Sequence, residues 1–426
     1  MPHPKILIIG GGFAGLNTAK SLKGASAEIL LLDRTNHHLF QPLLYQVATA
    51  GLSPGNIAAP LRWILKKQKN LKVILDEVLS IDKVQQSVAL KSGKTLSFDY
   101  LVLAPGARHS YFGNDLWEQF APGLKTIQDA LTIREKMLMS FERAEMSTDP
   151  AEQKKQLTFV IVGAGPTGVE MAGAIAEIAK KTLKEEFRCI NLDETKVLLL
   201  DVADRVLPVY SPRLSEKALL SLQGLGVDVR LKTRVTNITN DGIQAGDEWI
   251  PTANIVWAAG NVASPLLKTL NVECDRAGRV LVQPDLSLPQ FPNIFVLGDA
   301  AHCKNAKGEI LPGIAPVAMQ QGKYLGQLIQ RLLKNPNYVR VPFYYKDRGT
   351  MATIGRASAV AQIYAFRFSG GLAWLLWSLI HIFFLIDFRN RLSVMIEWFW
   401  YYITYHRTAR LITHIDPSEK PPESKN

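Results

Sequence analysis

Cysteine is scarce: Cys189, Cys274 and Cys303 are the only three in 426 residues, and they lie far apart. That excludes a disulfide framework, a zinc-ligand spacing and a C-x-x-C redox pair. Any redox chemistry must then come from a bound group. No secretory leader is expected either. Only four apolar residues, Ile6 to Ile9, precede a glycine run, whereas a leader's apolar stretch needs about 7–15. No repeat with a period of about 20–50 residues is present. Acidic residues are in deficit, 38 against 49 basic ones, for a net charge of +11. Such a balance suits nucleic acid, an anionic membrane or a polyanionic ligand. No basic–aromatic patch lies outside the C-terminal region, so nucleic acid is not expected. No cluster of ligating side chains suggests a metal. With 47% apolar and 20% charged residues the chain is neither disordered nor fibrous. Its length suggests two to three domains at about 150 residues each.

What the chain does have is one glycine motif used twice. The first copy is Gly10-Gly11-Gly12-Phe13-Ala14-Gly15. It follows an apolar strand, Lys5 to Ile9, and precedes a helical stretch, Leu16 to Lys23. A second strand, Glu28 to Leu32, ends in Asp33. This is the βαβ dinucleotide fingerprint. Gly10 permits the tight turn, Gly12 lets a pyrophosphate approach the positive helix end, and Gly15 lets helix and strand pack closely. Asp33, 18 residues past Gly15, is spaced to accept a hydrogen bond from an adenosine ribose. The second copy, Gly163-Ala164-Gly165-Pro166-Thr167-Gly168, follows a strand at Leu157 to Val162 and opens a helix at Val169 to Lys180. Asp201 closes its next strand, Val197 to Leu200. The longer gap before Asp201 is assigned to a charged helix extension over residues 180–188.

A third segment separates the roles of the two copies. A strand, Phe295-Val296-Leu297, runs into Gly298-Asp299-Ala300-Ala301. An Asp just after such a strand fits a hydrogen bond to flavin ribityl hydroxyls. Leu101 to Ala107 and Ile255 to Gly260 are likewise apolar strands that end in small residues, leaving room for a cofactor. The expected fold class is α/β, with two Rossmann-like dinucleotide-binding domains in a glutathione-reductase-like arrangement plus a C-terminal helical membrane-anchoring segment.

With these motifs, His38-Leu39-Phe40-Gln41-Pro42-Leu43-Leu44-Tyr45 and Ala315 to Gly322, nearly the whole chain resembles the type II NADH:quinone oxidoreductases. The resemblance implies non-covalent FAD on the first fingerprint and NADH as substrate on the second. Gly10, Gly12, Phe13, Gly15, Asp33, Val78, Ala104, Gly298, Asp299 and Ala318 match FAD positions. Gly163, Gly165, Gly168, Asp201 and Gly260 match positions around NADH. It further implies a hydride passing from NADH to FAD, then two electrons to a membrane quinone, ubiquinone or menaquinone, without proton pumping. The enzyme would sit monotopically on the cytoplasmic face of a bacterial inner membrane, with a homodimer as one option.

Two catalytic candidates follow from the resemblance. The family's A-Q-x-A-x-Q-Q-G segment reads Ala315-Pro316-Val317-Ala318-Met319-Gln320-Gln321-Gly322 here. Gln320 matches the glutamine that lines the quinone pocket, while Pro316 replaces the other. Pro suits the first turn of a helix, and Val317, Gln321, Leu325, Leu328 and Leu332 repeat at helical spacing. Glu170, two residues after Gly168, matches a carboxylate near the meeting of nicotinamide, flavin and quinone, where it could pass protons. Its first-turn position would also be favoured by the helix dipole alone. The lysine that partners it elsewhere has no counterpart between Lys346 and Lys420. Asp201 favours NADH over NADPH, since a carboxylate repels a 2′-phosphate; Arg205 is the residue that could soften this.

Two other readings stay open. A sulfide:quinone oxidoreductase shares the fold but needs paired reactive cysteines near the flavin. A redox-sensing interaction protein would hold FAD and report NADH by changing partners.

The C-terminal composition is different again. Gly370 to Ile386 carries no acid or base except His381. As a helix it reaches about 25 Å, short of the roughly 30 Å bilayer core. Arg389 and Arg391 follow, then Trp398, Trp400, Tyr401, Tyr402 and Tyr405, then Arg407 and Arg410. Tryptophan and tyrosine beside arginine belong at a lipid interface, so an anionic lipid surface is the expected partner and a buried dimer contact the alternative. The expected organisation is a split FAD domain at 1–115 and 286–345, a linker at 116–150 and an NADH domain at 151–285. A membrane-associating region at 346–412 and a disordered tail at 413–426 complete it.

Overall fold

A computed structural model describes residues 3–184 and 186–412; the tail expected to be disordered lies outside the described residues. The chain divides into two compact units. One comprises Met1–Leu39, Ala58–Arg108 and Asn261–Asp347; the other comprises Phe40–Ile57, His109–Gly260 and Arg348–Asn426.

The first unit is built on a sheet in the order Ser287–Leu288, Phe291–Val296, Tyr100–Leu103, Lys5–Ile9, Glu28–Asp33, Leu71–Leu75. The last five strands run parallel, in register Ile6↔Ile29 and Leu7↔Leu101, for example. Strands of a parallel sheet are covered on both faces, which is why Ile6-Leu7-Ile8-Ile9 is a continuous apolar run. The nucleotide helix Phe13–Ser21 packs on the helix Ala315–Lys334. Glycine sets that approach: a Cβ on Gly322 would lie 2.3 Å from the Ala14 carbonyl oxygen. The expected apolar stripe Val317, Leu325, Leu328 and Leu332 is buried, with Gln321 among it.

The second unit repeats the plan with the parallel order Val227–Arg230, Lys196–Leu200, Thr158–Val162, Asn254–Trp257. Its nucleotide helix spans Pro166–Glu177 and widens into a π turn at Ile178–Thr182. The charged helix extension expected over residues 180–188 goes no further than Thr182. At the far end of that segment Glu145 accepts from the backbone N–H groups of Arg188, Cys189 and Ile190. Those donors are satisfied without a helix.

The units also redraw the expected boundaries. Residues 116–150 are not a linker. They hold a 20-residue helix, Ile127–Met146, closed by a Thr126/Asp129 capping box and burying Ile133, Met137 and Phe141 in the second unit. Residues 261–285 belong with the first unit, where Val280–Leu281 pairs in parallel with Ala301–His302. The C-terminal region, expected to be helical, begins as an antiparallel meander, Thr350–Gly355, Ser358–Ile363 and Phe366–Gly370. Two helices follow, Gly371–Phe384 and Phe388–Thr404. Among the described residues no helix is long and apolar enough to cross a membrane. The helices bury Ala373, Trp377, Val394 and Trp398 and turn most of their other large apolar side chains outward.

Candidate active site

In the first unit the fingerprint forms a cradle of glycine contacts. Gly10 has φ +100°, and a Cβ there would sit 2.2 Å from the Ala104 carbonyl oxygen. A Cβ on Gly15 would sit 1.8 Å from the carbonyl oxygen of Gly10, so both positions exclude any side chain. Gly12 is different. It is the N-cap of the helix, caps it with no side chain, and faces open space. Uncapped N–H groups with a bare approach are what a pyrophosphate needs. Asp33 accepts from Gly11 N–H at 2.6 Å and from Thr35 N–H at 2.7 Å, holding the turn and keeping lone pairs for a ribose hydroxyl. Beside it lies a 530 Å³ cavity lined by Gly10, Asp33, Val78 and Pro105.

The ribityl side of this cradle is also in place. Gly298, at φ +64°, lies against Ala14 and Ala318. Its N–H donates to buried Gln321 at 2.6 Å, which ties the long helix to the turn. Among the described residues nothing donates to the neighbouring Asp299 carboxylate, so its oxygens are open to hydroxyl donors. The residues therefore fit FAD. Phe13 stands edge-on to His38 at 5.0 Å. His38 bonds the Gly11 carbonyl at 2.9 Å, and burial lowers its pKa to about 4, so it is neutral and structural.

The second fingerprint reproduces the first. Gly165 is an uncapped N-cap facing open space, and a Cβ on Gly168 would lie 1.7 Å from the Gly163 carbonyl oxygen. Asp201 accepts from Ala164 N–H at 2.5 Å and Ala203 N–H at 2.8 Å, the same clamp that Asp33 makes. Gly260 has φ +71°. Arg205 donates to the Pro208 carbonyl at 3.0 Å. On the expectation drawn from Asp201, NADH should be preferred over NADPH by at least about tenfold in kcat/KM, or 1.4 kcal/mol. Steady-state assays with both donors check this; equal efficiencies would refute it.

Glu170 is not in the first helical turn, because Pro166, Thr167 and Gly168 are already helical. The helix dipole therefore does not account for it. Its carboxyl points into a narrow 60 Å³ cavity of the second unit, lined also by Tyr45, Thr353, Trp398, Tyr401 and Arg407. Desolvation holds its pKa well above the ordinary value, and only the Thr353 N–H works against that. Tyr45, kept neutral by burial, shares a 2.9 Å hydrogen bond with the Thr353 hydroxyl. Gln46 donates to Tyr45 at 2.9 Å and accepts from the Trp398 indole at 2.7 Å. The sequence pointed to Glu170 alone. Tyr45 stood in a quoted motif with no role attached, Trp398, Tyr401 and Arg407 were read as lipid-facing, and Thr353 carried no local signal.

Gln320 lies in the first unit. Its amide donates to the Lys346 carbonyl at 2.9 Å and accepts from the Lys346 N–H at 3.0 Å. All three cysteines are free, and burial pushes the Cys303 thiol up to about 11, where it is neither thiolate nor paired. A sulfide or disulfide chemistry has no cysteine pair to use. Two arginines expected at a lipid surface are paired with carboxylates instead. Arg407 is buried against Glu177, and Arg410 bonds Glu186 at 2.6 Å at the surface. His381 is packed, bonding the Trp377 carbonyl at 2.7 Å.

Residues 4–322 match the pyridine nucleotide-disulphide oxidoreductase family, and residues 348–404 match the NDH2 C-terminal domain. The type II NADH:quinone oxidoreductase Ndh of Mycobacterium tuberculosis is 46% identical over 422 residues, covering 96% of this chain and 90% of that protein. NdhA of the same organism is 46% identical over 409 residues, covering 92% and 86%. Among solved structures, NDH2 from Plasmodium falciparum in complex with NADH superposes with a TM-score of 0.87 over 95% of this chain and 99% of that one, at 19% identity. The chain belongs to the pyridine nucleotide-disulphide oxidoreductases. Within them it falls among the type II NADH:quinone oxidoreductases, with both the nucleotide-binding body and the C-terminal domain of that group.

Proposed function

We propose that this protein is a non-proton-pumping NADH:quinone oxidoreductase acting at a membrane surface. The observation that carries the reading is the duplicated cradle: two uncapped glycine-fingerprint helices, each with its acid clamp, in a chain whose relatives are named for NADH and quinone. Bound in the first cradle, FAD supplies hydride acceptance and two-electron delivery. Gly10, Gly12, Gly15 and Asp33 hold its ADP half, while Val78, Ala104, Gly298, Asp299 and Ala318 surround the rest. Gly163, Gly165, Gly168, Asp201 and Gly260 receive NADH. Gln320 positions the quinone side by fixing the Lys346 backbone, and Glu170 relays protons. The quinone is ubiquinone or menaquinone. The outward apolar side chains of the two C-terminal helices meet lipid, and the enzyme sits peripherally on the cytoplasmic face of a bacterial inner membrane. Anaerobic titration of the purified protein with NADH should bleach its flavin absorbance, and a short-chain quinone should restore it. A protein that NADH does not bleach, or that quinone does not reoxidise, would overturn the proposal.

The proton role has its own test. A carboxyl whose pKa desolvation raises well above the ordinary range keeps its proton to higher pH than a free glutamate and can donate it to a reduced quinone. Glu170→Gln should slow the quinone half-reaction by about 10²-fold and leave flavin reduction by NADH within a few-fold, as read by stopped-flow. The stability sign is opposite to that of a salt-bridged acid. The folded state holds this proton more tightly than the unfolded state, so the wild type loses stability as pH rises beyond the ordinary carboxylate range. Glu170→Gln should therefore be the more stable protein at about pH 8, with the difference vanishing near pH 4. An unchanged quinone step would remove Glu170 from the mechanism.

A further inference from the structure

One aromatic residue beside the second cradle is used by nothing above. Trp257 ends the strand Asn254–Trp257 and gathers Tyr111, stacked at 5.2 Å, Trp117 at 5.7 Å and Phe112, edge-on at 6.3 Å. Its indole N–H donates to the Ser110 carbonyl at 2.9 Å, which fixes the loop that carries Phe112. Tyr111 is buried, 2% exposed, but the Phe112 ring is 69% exposed. Phe112 also holds a left-handed backbone, φ +53°, that a bulky residue rarely adopts. The ring lies on Gly260, where a Cβ would meet its Cζ at 2.7 Å. Gly163 in turn backs onto Ala258 and Ala259, within 2.8 Å of a would-be Cβ. Phe112 therefore sits at the C-terminal edge of the sheet, next to the fingerprint turn.

The strand order decides which half of a dinucleotide it faces. Asp201 follows Lys196–Leu200, on one side of the fingerprint strand Thr158–Val162; Asn254–Trp257 lies on the other side. A dinucleotide held by its pyrophosphate at the fingerprint lays its adenosine ribose toward the acid and its other half over the opposite strand. We propose that Phe112 is a positioning residue for the nicotinamide half of NADH, an exposed ring held over Gly260 that packs on the nicotinamide ring as it enters. This rests on the assignment of NADH to the second fingerprint. Ala258, Ala259 and Gly260 bring almost no side chain to the strand end, and the Phe112 ring is the large apolar group set against Gly260.

Titration calorimetry on the FAD-loaded protein tests this with NAD⁺ and with ADP-ribose, which lacks the nicotinamide. Phe112→Ala should weaken NAD⁺ by about tenfold and leave ADP-ribose within about twofold. Phe112→Tyr, which keeps the ring, should bind NAD⁺ as the wild type does. Phe112→Gly removes the ring and accepts the left-handed backbone, so it should lose NAD⁺ affinity without losing melting temperature. Equal weakening of both ligands would place the ring on the adenosine side or in loop shaping, and no weakening of either would leave it without a role; both overturn the proposal. A wild type that binds ADP-ribose but is not reduced by NADH would instead sink the functional reading, and this proposal with it.

Discussion

Arg407→Ala is expected to cost about 3–5 kcal/mol of unfolding free energy, the usual penalty for breaking a buried ion pair by removing one partner. Arg407 and Glu177 have side chains only 5% and 6% exposed. The guanidinium donates to the Thr49 carbonyl at 2.7 Å, the Thr49 hydroxyl at 3.0 Å and the Tyr401 hydroxyl at 3.1 Å, and reaches Glu177 at 3.5 Å. Glu177 also accepts from Tyr401 at 2.6 Å and from the Arg356 N–H at 2.5 Å. Removing the guanidinium leaves a buried carboxylate held by neutral donors alone, and removes donors to Thr49 as well. Replacing both partners by apolar residues of similar volume, Glu177→Leu with Arg407→Met, should recover most of the loss, because neither charge is then buried. Urea unfolding of the two single variants and the double variant closes the cycle. A single variant within about 1 kcal/mol of wild type would mean that solvent reaches the pair. The pair also bears on activity. Glu177 is seven residues past Glu170 on the same helix, and both line one cavity.

This pair shows where the sequence stopped being legible. The two fingerprints could be read because each is local: strand, glycines, helix and closing acid fall within a few dozen residues, and each glycine answers one nearby backbone contact. Strand limits moved by only a few residues for the same reason. The surroundings of Glu170 are not local at all. Tyr45, Thr353, Trp398 and Arg407 converge from distant parts of the chain, and no period announces them. Arg407 was read as lipid-facing because arginine beside tyrosine has that composition; its partner Glu177 is 230 residues away. The helix Ile127–Met146 is a different miss. Ile133, Met137 and Phe141 recur at four-residue spacing and Thr126 caps Asp129, so the signal was present but was taken for a linker between the more conspicuous motifs.

The buried contacts of the C-terminal region also change how its membrane role should be tested. Deleting everything after Phe366 would remove Trp377, Trp398 and Arg407 from the interior of the second unit, so loss of binding would be confounded with unfolding. Surface changes are the cleaner experiment. The first helix presents Leu372, Leu375, Leu379 and Phe383 outward, and the second presents Leu392, Met395, Ile396, Phe399, Trp400 and Ile403. Both sets recur at three- and four-residue spacing and form a stripe along each helix. Burying one such side chain is worth about 1.5–3 kcal/mol, whereas an arginine near an anionic surface is worth about 1 kcal/mol at most. Arg389 is exposed, but Arg391 donates to the Leu385 carbonyl at 2.8 Å and Arg407 and Arg410 are paired internally. Apolar area should therefore dominate binding. Leu379→Glu with Phe399→Glu should lower partition onto anionic vesicles by more than about 100-fold, while high salt alone should release little of the wild type. The double variant should keep its flavin, its melting temperature and its reduction by NADH. Its oxidation by a lipid-dissolved quinone should slow much more than its oxidation by a water-soluble acceptor. If it still sediments with vesicles, the anchor lies elsewhere. If the wild type ignores vesicles and the substitutions instead turn a dimer into a monomer, the stripe is a subunit contact and not a lipid face.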